Sequence, residues 1–141
     1  MNDWVGRALP RLEDAALLTG NARFVDDLSP VPGIRHVAML RSPLAHGRIH
    51  GIDSGAAERL PGVVGVVTGA QIADLLKPLA SAVRAPMAYY PIAVDKVRHV
   101  GEVVVLVAAE DRYLAEDAAE LIEVDYEPLP AVVEPLAALE P

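Results

Sequence analysis

His46 and His50 stand four residues apart, a spacing that on a helix would bring two imidazoles to one metal ion. On a strand the same four residues span about 13 Å, too far for one ion to reach both. The stretch His46-Gly47-Arg48-Ile49-His50-Gly51-Ile52 has two glycines and β-branched isoleucines, which disfavour helix and suit an extended chain. The two rings therefore read as partly exposed or hydrogen-bonded groups. Glu116, Asp117, Glu120 and Glu123 could offer paired carboxylates for acid–base work, but their spacing puts them on the solvated face of an amphipathic helix. Val66-Val67-Thr68-Gly69-Ala70-Gln71 lacks the glycine-rich run and the lysine of a phosphate loop. The chain has no cysteine, so disulfides, thiolate metal sites, iron–sulfur ligation and cysteine nucleophiles are all excluded for it. The residues themselves assign no catalytic, cofactor-binding or metal-binding position.

The elements that would carry these side chains belong to a small α+β domain. With 141 residues and 52% apolar content the chain suffices for one core, and 12 prolines and 10 glycines imply short elements with abrupt ends. The strongest stretch runs from Val100 to Pro130. Val103–Ala109 is a nearly continuous apolar strand, the pattern of a strand covered on both faces. Asp111 is a good N-cap for a helix whose Leu114, Ala115, Ala118, Leu121 and Ile122 form one apolar stripe. Val124-Asp125-Tyr126 closes the unit as a second strand before Pro128.

Ahead of it, Ile34–Ser42 alternates as a strand, with His36, Ala38 and Leu40 on one face and Val37 and Met39 on the other. Ser54 is placed to cap a short helix through Leu60, and Val63–Val67 reads as a buried strand. Thr68 and Gln71 make a capping box that predicts a helix through Ile72, Leu75 and Leu76. Ile92–Val97 has extended character, and the tail ends in an apolar turn around Leu136 and Leu139. Residues 1–30 read as a docking arm. Its short helix, Ala15-Ala16-Leu17-Leu18 closed by Gly20, is too short to stand alone and needs a surface for Leu17 and Leu18. Arg23–Asp27 follows as a short extended piece.

Lys77–Pro91 is the longest irregular segment, about fifteen residues, a length that is usually functional or disordered. Its Leu79, Val83, Met87, Tyr89 and Tyr90 are too apolar for a solvated linker. Either they line a ligand channel or partner surface, or they pack the loop onto its own core. Both readings stand on the residues alone.

The formal net charge of −8, with 12 scattered basic residues, argues against a nucleic-acid partner. The apolar run at 103–109 is far short of the roughly 20 residues that span a bilayer, so no membrane span is expected. Met-Asn-Asp-Trp-Val-Gly at the start shows no signal-peptide pattern, and a cytoplasmic location is expected.

In order along the chain, four segments resemble one known family. They are Gly6-Arg7 with Arg11-Leu12-Glu13-Asp14, Leu18-Thr19-Gly20 and Arg23-Phe24-Val25-Asp26-Asp27; Arg41-Ser42-Pro43-Leu44-Ala45-His46-Gly47-Arg48-Ile49; Leu60-Pro61-Gly62-Val63 with Val67-Thr68-Gly69; and Val100-Gly101-Glu102 through Val124-Asp125-Tyr126-Glu127-Pro128-Leu129-Pro130. Together they are similar to the N-terminal part of the molybdopterin-binding large subunit of molybdenum hydroxylases, the xanthine dehydrogenase, aldehyde oxidase and carbon monoxide dehydrogenase family. One local departure is Glu102-Val103, where relatives often have proline after the polar residue.

The resemblance implies an a/b hammerhead-like mixed sheet with short packing helices, residues 31–141, behind the N-terminal docking arm 1–30. It implies part of an oxidoreductase that hydroxylates a small molecule, or oxidises CO, with water-derived oxygen. Mo-molybdopterin, [2Fe–2S] clusters and FAD would sit on other segments or subunits. The implied partners are the remainder of the molybdopterin-binding subunit, an iron–sulfur subunit and a flavin subunit. The family's pterin-holding segments and catalytic glutamate match no position here, so no catalytic, cofactor or metal residue is carried over. Relatives bring the segment before the Val-Gly-Glu strand to the substrate funnel, which makes Met87, Tyr89 and Tyr90 the expected channel lining. A free-standing assembly or interaction module with the same fold, without catalysis, is the alternative.

Overall fold

A computed structural model describes residues 4–27, 31–75, 77–79 and 88–139. Its contacts cluster into two units, Met1–Ile34 and Arg35–Pro141.

In the second unit the apolar run forms β5 (Val103–Ala109), the middle of a three-stranded sheet. Its neighbours are β1 (His36–Arg41) and β3 (Val63–Thr68), both antiparallel to it. A second three-stranded sheet has β2 (Gly47–Asp53) between β4 (Lys96–Val97) and β6 (Glu123–Pro128), again antiparallel throughout. The α+β class is as expected, with the strands divided between two antiparallel sheets. Apolar runs predict strands well, but they do not say which strand chooses which neighbour.

Helix α3 (Arg112–Glu120) closes the first sheet, and the Asp111 carboxylate accepts from the Leu114 N–H at 2.9 Å, as an N-cap should. Its buried stripe is Ala115, Ala118 and Ala119, followed by buried Ile122. Ala115, Ala118 and Ile122 of the expected stripe are buried and Leu114 is half-buried, whereas Leu121 is exposed and Ala119 joins the buried side. Small alanines let the helix approach the sheet closely, and the carboxylates of Glu116, Asp117 and Glu120 face solvent. In the antiparallel ladder Ala38 and Val66 both pair with Val107, and Leu40 and Thr68 with Val105. Paired residues share a face, so these residues look inward to the core of Val105, Val107, Ala118 and Ile122.

Helix α2 (Gly55–Glu58) begins after Ser54, but the Ser54 hydroxyl donates to Glu58 Oε1 at 2.6 Å instead of capping. Asp53 takes that part by accepting from the Gly55 N–H at 2.9 Å. The Thr68–Gln71 box forms as expected, with Thr68 N–H to Gln71 Oε1 at 2.9 Å and Gln71 N–H to Thr68 Oγ1 at 3.3 Å. Residues 69–75 nevertheless run as turns, and no helix follows within the described residues; Leu76 lies outside them. Leu75 is 82% exposed, so the segment has no apolar surface to drive propagation beyond its first satisfied donors.

Tyr126 on β6 is half-buried, and burial raises its phenol above the ordinary value of about 10, partly offset by a hydrogen bond with Ser42. A raised folded-state value means that stability is fully present below the unfolded value. It is lost as pH rises through the folded one. Melting temperature should therefore fall more steeply above about pH 10 in the native chain than in Tyr126→Phe. Parallel alkaline limbs would count against this.

The first unit contains α1 (Asp14–Leu18), with Arg11 held on the Asp14 carboxylate at 2.7 Å and Gly20 at φ +69°, the left-handed geometry expected of its closing residue. Arg23–Asp27 is not extended: Val25–Asp27 is a 3₁₀ turn, because Asp27 Oδ2 accepts from the Phe24 N–H at 2.9 Å. Leu17 and Leu18 are both exposed.

Candidate functional site

Beside the second sheet lies an open cleft of about 1000 Å³, with His46, Tyr90, Lys96, Arg98 and His99 among its polar lining and Val100 and Val132 among its apolar lining. Its floor is the segment between β4 and β5. That segment and the residue before β4 are held by bonds from Arg41 and Ser42 at the end of β1 and from Ile49 on β2. Ser42 N–H donates to the Glu102 carbonyl and Gly101 N–H to the Ser42 carbonyl, both at 2.8 Å. The Arg41 guanidinium reaches the Gly101 carbonyl at 2.8 Å, and Ile49 N–H donates to the Asp95 carbonyl at 2.9 Å.

Glu102 is the buried charge beneath this floor, 2% exposed. Its Oε2 accepts from the Arg98 N–H, and its Oε1 finds no hydrogen bond among the described residues. Arg98 stands between two carboxylates, 3.8 Å from Asp95 and 3.9 Å from Glu102, and also donates to the Lys96 carbonyl at 3.1 Å. His99 Nδ1 lies 3.6 Å from Glu102 Oε2. One buried carboxylate thus organises two cleft-lining side chains. In the sequence, Ile92–Val97 reads as extended and Glu102 as part of the Val-Gly-Glu stretch, with no site role for Arg98, His99 or Glu102. The signal was present in the i,i+3 and i,i+4 spacing of Asp95, Arg98, His99 and Glu102 around a glycine turn.

His46, just ahead of β2, and His50, on it, are both hydrogen-bonded groups. His46 Nδ1 meets the Pro130 carbonyl at 2.8 Å, while the His46 carbonyl accepts from the Leu129 N–H at 3.0 Å. These two contacts clasp the chain after β6 against the start of β2 and hold up the wall that carries Val132. His50 Nε2 lies 3.1 Å from Glu127 Oε2, which also faces Arg48 Nε at 3.4 Å. Among the described residues no three His, Asp or Glu side chains converge as a metal site.

Of the three residues expected to line a channel, Tyr90 lines this cleft. Tyr89 sets its ring 6.0 Å from that of His99 at an interplanar angle of 34°, and its carbonyl accepts from the Leu79 N–H at 2.7 Å. Met87 lies outside the described residues. The cleft joins an apolar wall to cationic and aromatic groups, which is the chemistry of binding and guiding.

No helix among the described residues is long and apolar enough to cross a membrane. Residues 19–130 match the family described as aldehyde oxidase and xanthine dehydrogenase, a/b hammerhead domain. The chain is 44% identical to the 6-hydroxypseudooxynicotine dehydrogenase complex subunit gamma of Paenarthrobacter nicotinovorans, over 96% of its own length and 18% of that protein's. It is 42% identical to the carbon monoxide dehydrogenase large chain of Afipia carboxidovorans, over 93% of its length and 16% of that chain's. Among solved structures, quinoline 2-oxidoreductase from Pseudomonas putida 86 superposes with a TM-score of 0.84 at 45% identity, over 94% of this chain and 17% of that one. The chain thus spans less than a fifth of the length of these relatives, and the part it matches is their hammerhead portion. It belongs to the aldehyde oxidase and xanthine dehydrogenase family, as that family's a/b hammerhead domain.

Proposed function

We propose that this chain is the hammerhead portion of the large subunit of a molybdenum-dependent hydroxylase, contributing fold, subunit interface and substrate-channel lining to an oxidoreductase whose catalytic centre lies elsewhere. The observation that carries this reading is near-complete coverage of the chain, at 40–45% identity, by under a fifth of large chains that include a carbon monoxide dehydrogenase and quinoline 2-oxidoreductase. The substrate is a small molecule, and the enzyme is cytoplasmic. Its partners are the rest of the molybdopterin-binding subunit, an iron–sulfur subunit and a flavin subunit.

Mo-molybdopterin, [2Fe–2S] clusters and FAD belong to those other parts. A [2Fe–2S] cluster does not fit this chain, which has no cysteine to ligate it. No step through these groups is assigned to this chain.

Purification from the source organism, with mass spectrometry and an absorbance spectrum, tests the assembly. Iron–sulfur and flavin bands with molybdenum and larger partner polypeptides are expected. A chain that purifies alone, without those bands, overturns the reading and supports a free-standing module.

Met87, Tyr89 and Tyr90 are the proposed channel-lining residues, and Tyr90 has the clearest support because it lines the cleft. In the assembled enzyme Tyr90→Ala should change apparent substrate affinity about two- to tenfold, the range of one aromatic contact. Stability should change by less than about 1 kcal/mol, since the ring is only half-buried. Unchanged steady-state kinetics with a lowered melting temperature would reverse the assignment and make Tyr90 a packing residue.

A further inference from the structure

Strand β5 carries no polar side chain on either face, the composition of a strand covered on both sides. Within Arg35–Pro141, the described residues cover only one of them. On the α3 side Val105, Val107 and Ala109 are fully buried. On the other side only Val104 is buried, while Leu106 and Ala108 remain half-exposed. The neighbouring strands continue that open face, because Met39 and Val67 both pair with Leu106, and Val37 and Gly65 both pair with Ala108. Val37 is 55% and Met39 49% exposed. The result is an unbroken aliphatic surface across three strands.

A cation sits at the rim. Arg41, next in the exposed alternation of β1, lays its guanidinium 3.4 Å from the Met39 sulfur. A contiguous apolar sheet face of this kind marks an interaction surface. The family's chains are about six times longer than this one, since it spans 16–18% of them.

We propose that this face of the β1–β5–β3 sheet is covered, in the assembled enzyme, by an aliphatic surface of the remaining large subunit that brings a carboxylate to Arg41. The proposal rests on the reading of the chain as part of that subunit. Two features select the occupant. The large share of the family's chains that lies outside this one can supply a covering layer, and the Arg41 cation at the rim calls for an acidic partner group. The second layer completes the arrangement that β5 composition requires, with α3 on one side and the new surface on the other.

The absence of cysteine makes the test direct. Met39→Cys and Val37→Cys report on the face, and Tyr113→Cys, on a residue 77% exposed on α3, serves as the control. Each is labelled with a maleimide in the chain alone and in the purified assembly. In the assembly the Met39→Cys and Val37→Cys thiols should react about tenfold or more slowly than in the chain alone. The control thiol should change little. Equal reactivity in both states overturns the proposal, even when cofactor bands show that the assembly is intact. Protection already present in the isolated chain, accompanied by dimeric mass, also overturns it in favour of a second copy. If no assembly is recovered, both this proposal and the reading beneath it fail, and the missing cofactor bands identify that case.

Discussion

Arg98→Ala is expected to lower stability by about 2–4 kcal/mol, read as a lower urea midpoint at unchanged m-value. The substitution removes the guanidinium that faces both Asp95 and the buried Glu102 carboxylate. Glu102 would keep its bond from the backbone N–H of residue 98, but its charge would lose the nearest permanent cation in a site that water does not reach. Leaving a buried charge uncompensated costs more than the pair itself contributes. The prediction has a built-in control. Replacing Glu102 by Gln in the same chain removes the charge, so the double variant should recover part of the loss. A cost below about 1 kcal/mol would place the contact among ordinary exposed ion pairs. Cleft shape should follow stability here, because Arg98 and His99 both line it.

Gly69→Ala is the second large effect, and its cause is steric. A Cβ on Gly69 would stand 2.1 Å from the Ala93 carbonyl oxygen and 2.7 Å from its carbon. Both are backbone atoms, so no side-chain rotation relieves the overlap. Buried Ala93 is itself fixed, since its N–H donates to the Val103 carbonyl at 2.8 Å. Either the end of β3 or the 92–93 segment must move, and the expected loss is about 3 kcal/mol or more. Gly65→Ala makes a fair comparison because nothing lies within 4 Å of its added Cβ. If the two alanine variants melt within a degree or two of each other, the close approach at Gly69 is not what sets the cost.

These sites show how far the sequence could be read. The segment from β5 to β6 was legible because its signals agree: an apolar run of strand length, an aspartate cap, a stripe at helical period and a proline stop. The histidine reading also followed from local chemistry, since glycine and isoleucine settle strand over helix. The Thr68–Gln71 box was legible as hydrogen bonds and misleading as a helix, because capping satisfies donors while propagation needs a surface to bury. The Phe24–Asp27 turn was missed for the opposite reason: one aspartate–backbone bond outweighed the extended character of its neighbours. The cleft could not be read beyond the segment that carries Tyr90. It is made by His46 meeting Pro130, by Ser42 holding the 101–102 turn and by Tyr90 arriving from a segment without periodicity. Contacts between distant parts of a chain leave no local pattern.

The two sheets also dictate an order of events. Each has as its middle strand one whose partners come from far along the chain: β5 lies between β1 and β3, and β2 between β4 and β6. While the chain is being synthesised, β1 and β3 emerge with no strand between them, and β2 waits for β6 until residue 128 has been made. Neither half can fold first and template the other. Such long-range pairing makes folding slow and leaves apolar edges exposed on the nascent chain. The domain is thus an all-at-once structure that forms late in its own translation, and a chain stopped before Val103 would hold two outer strands without the one that joins them.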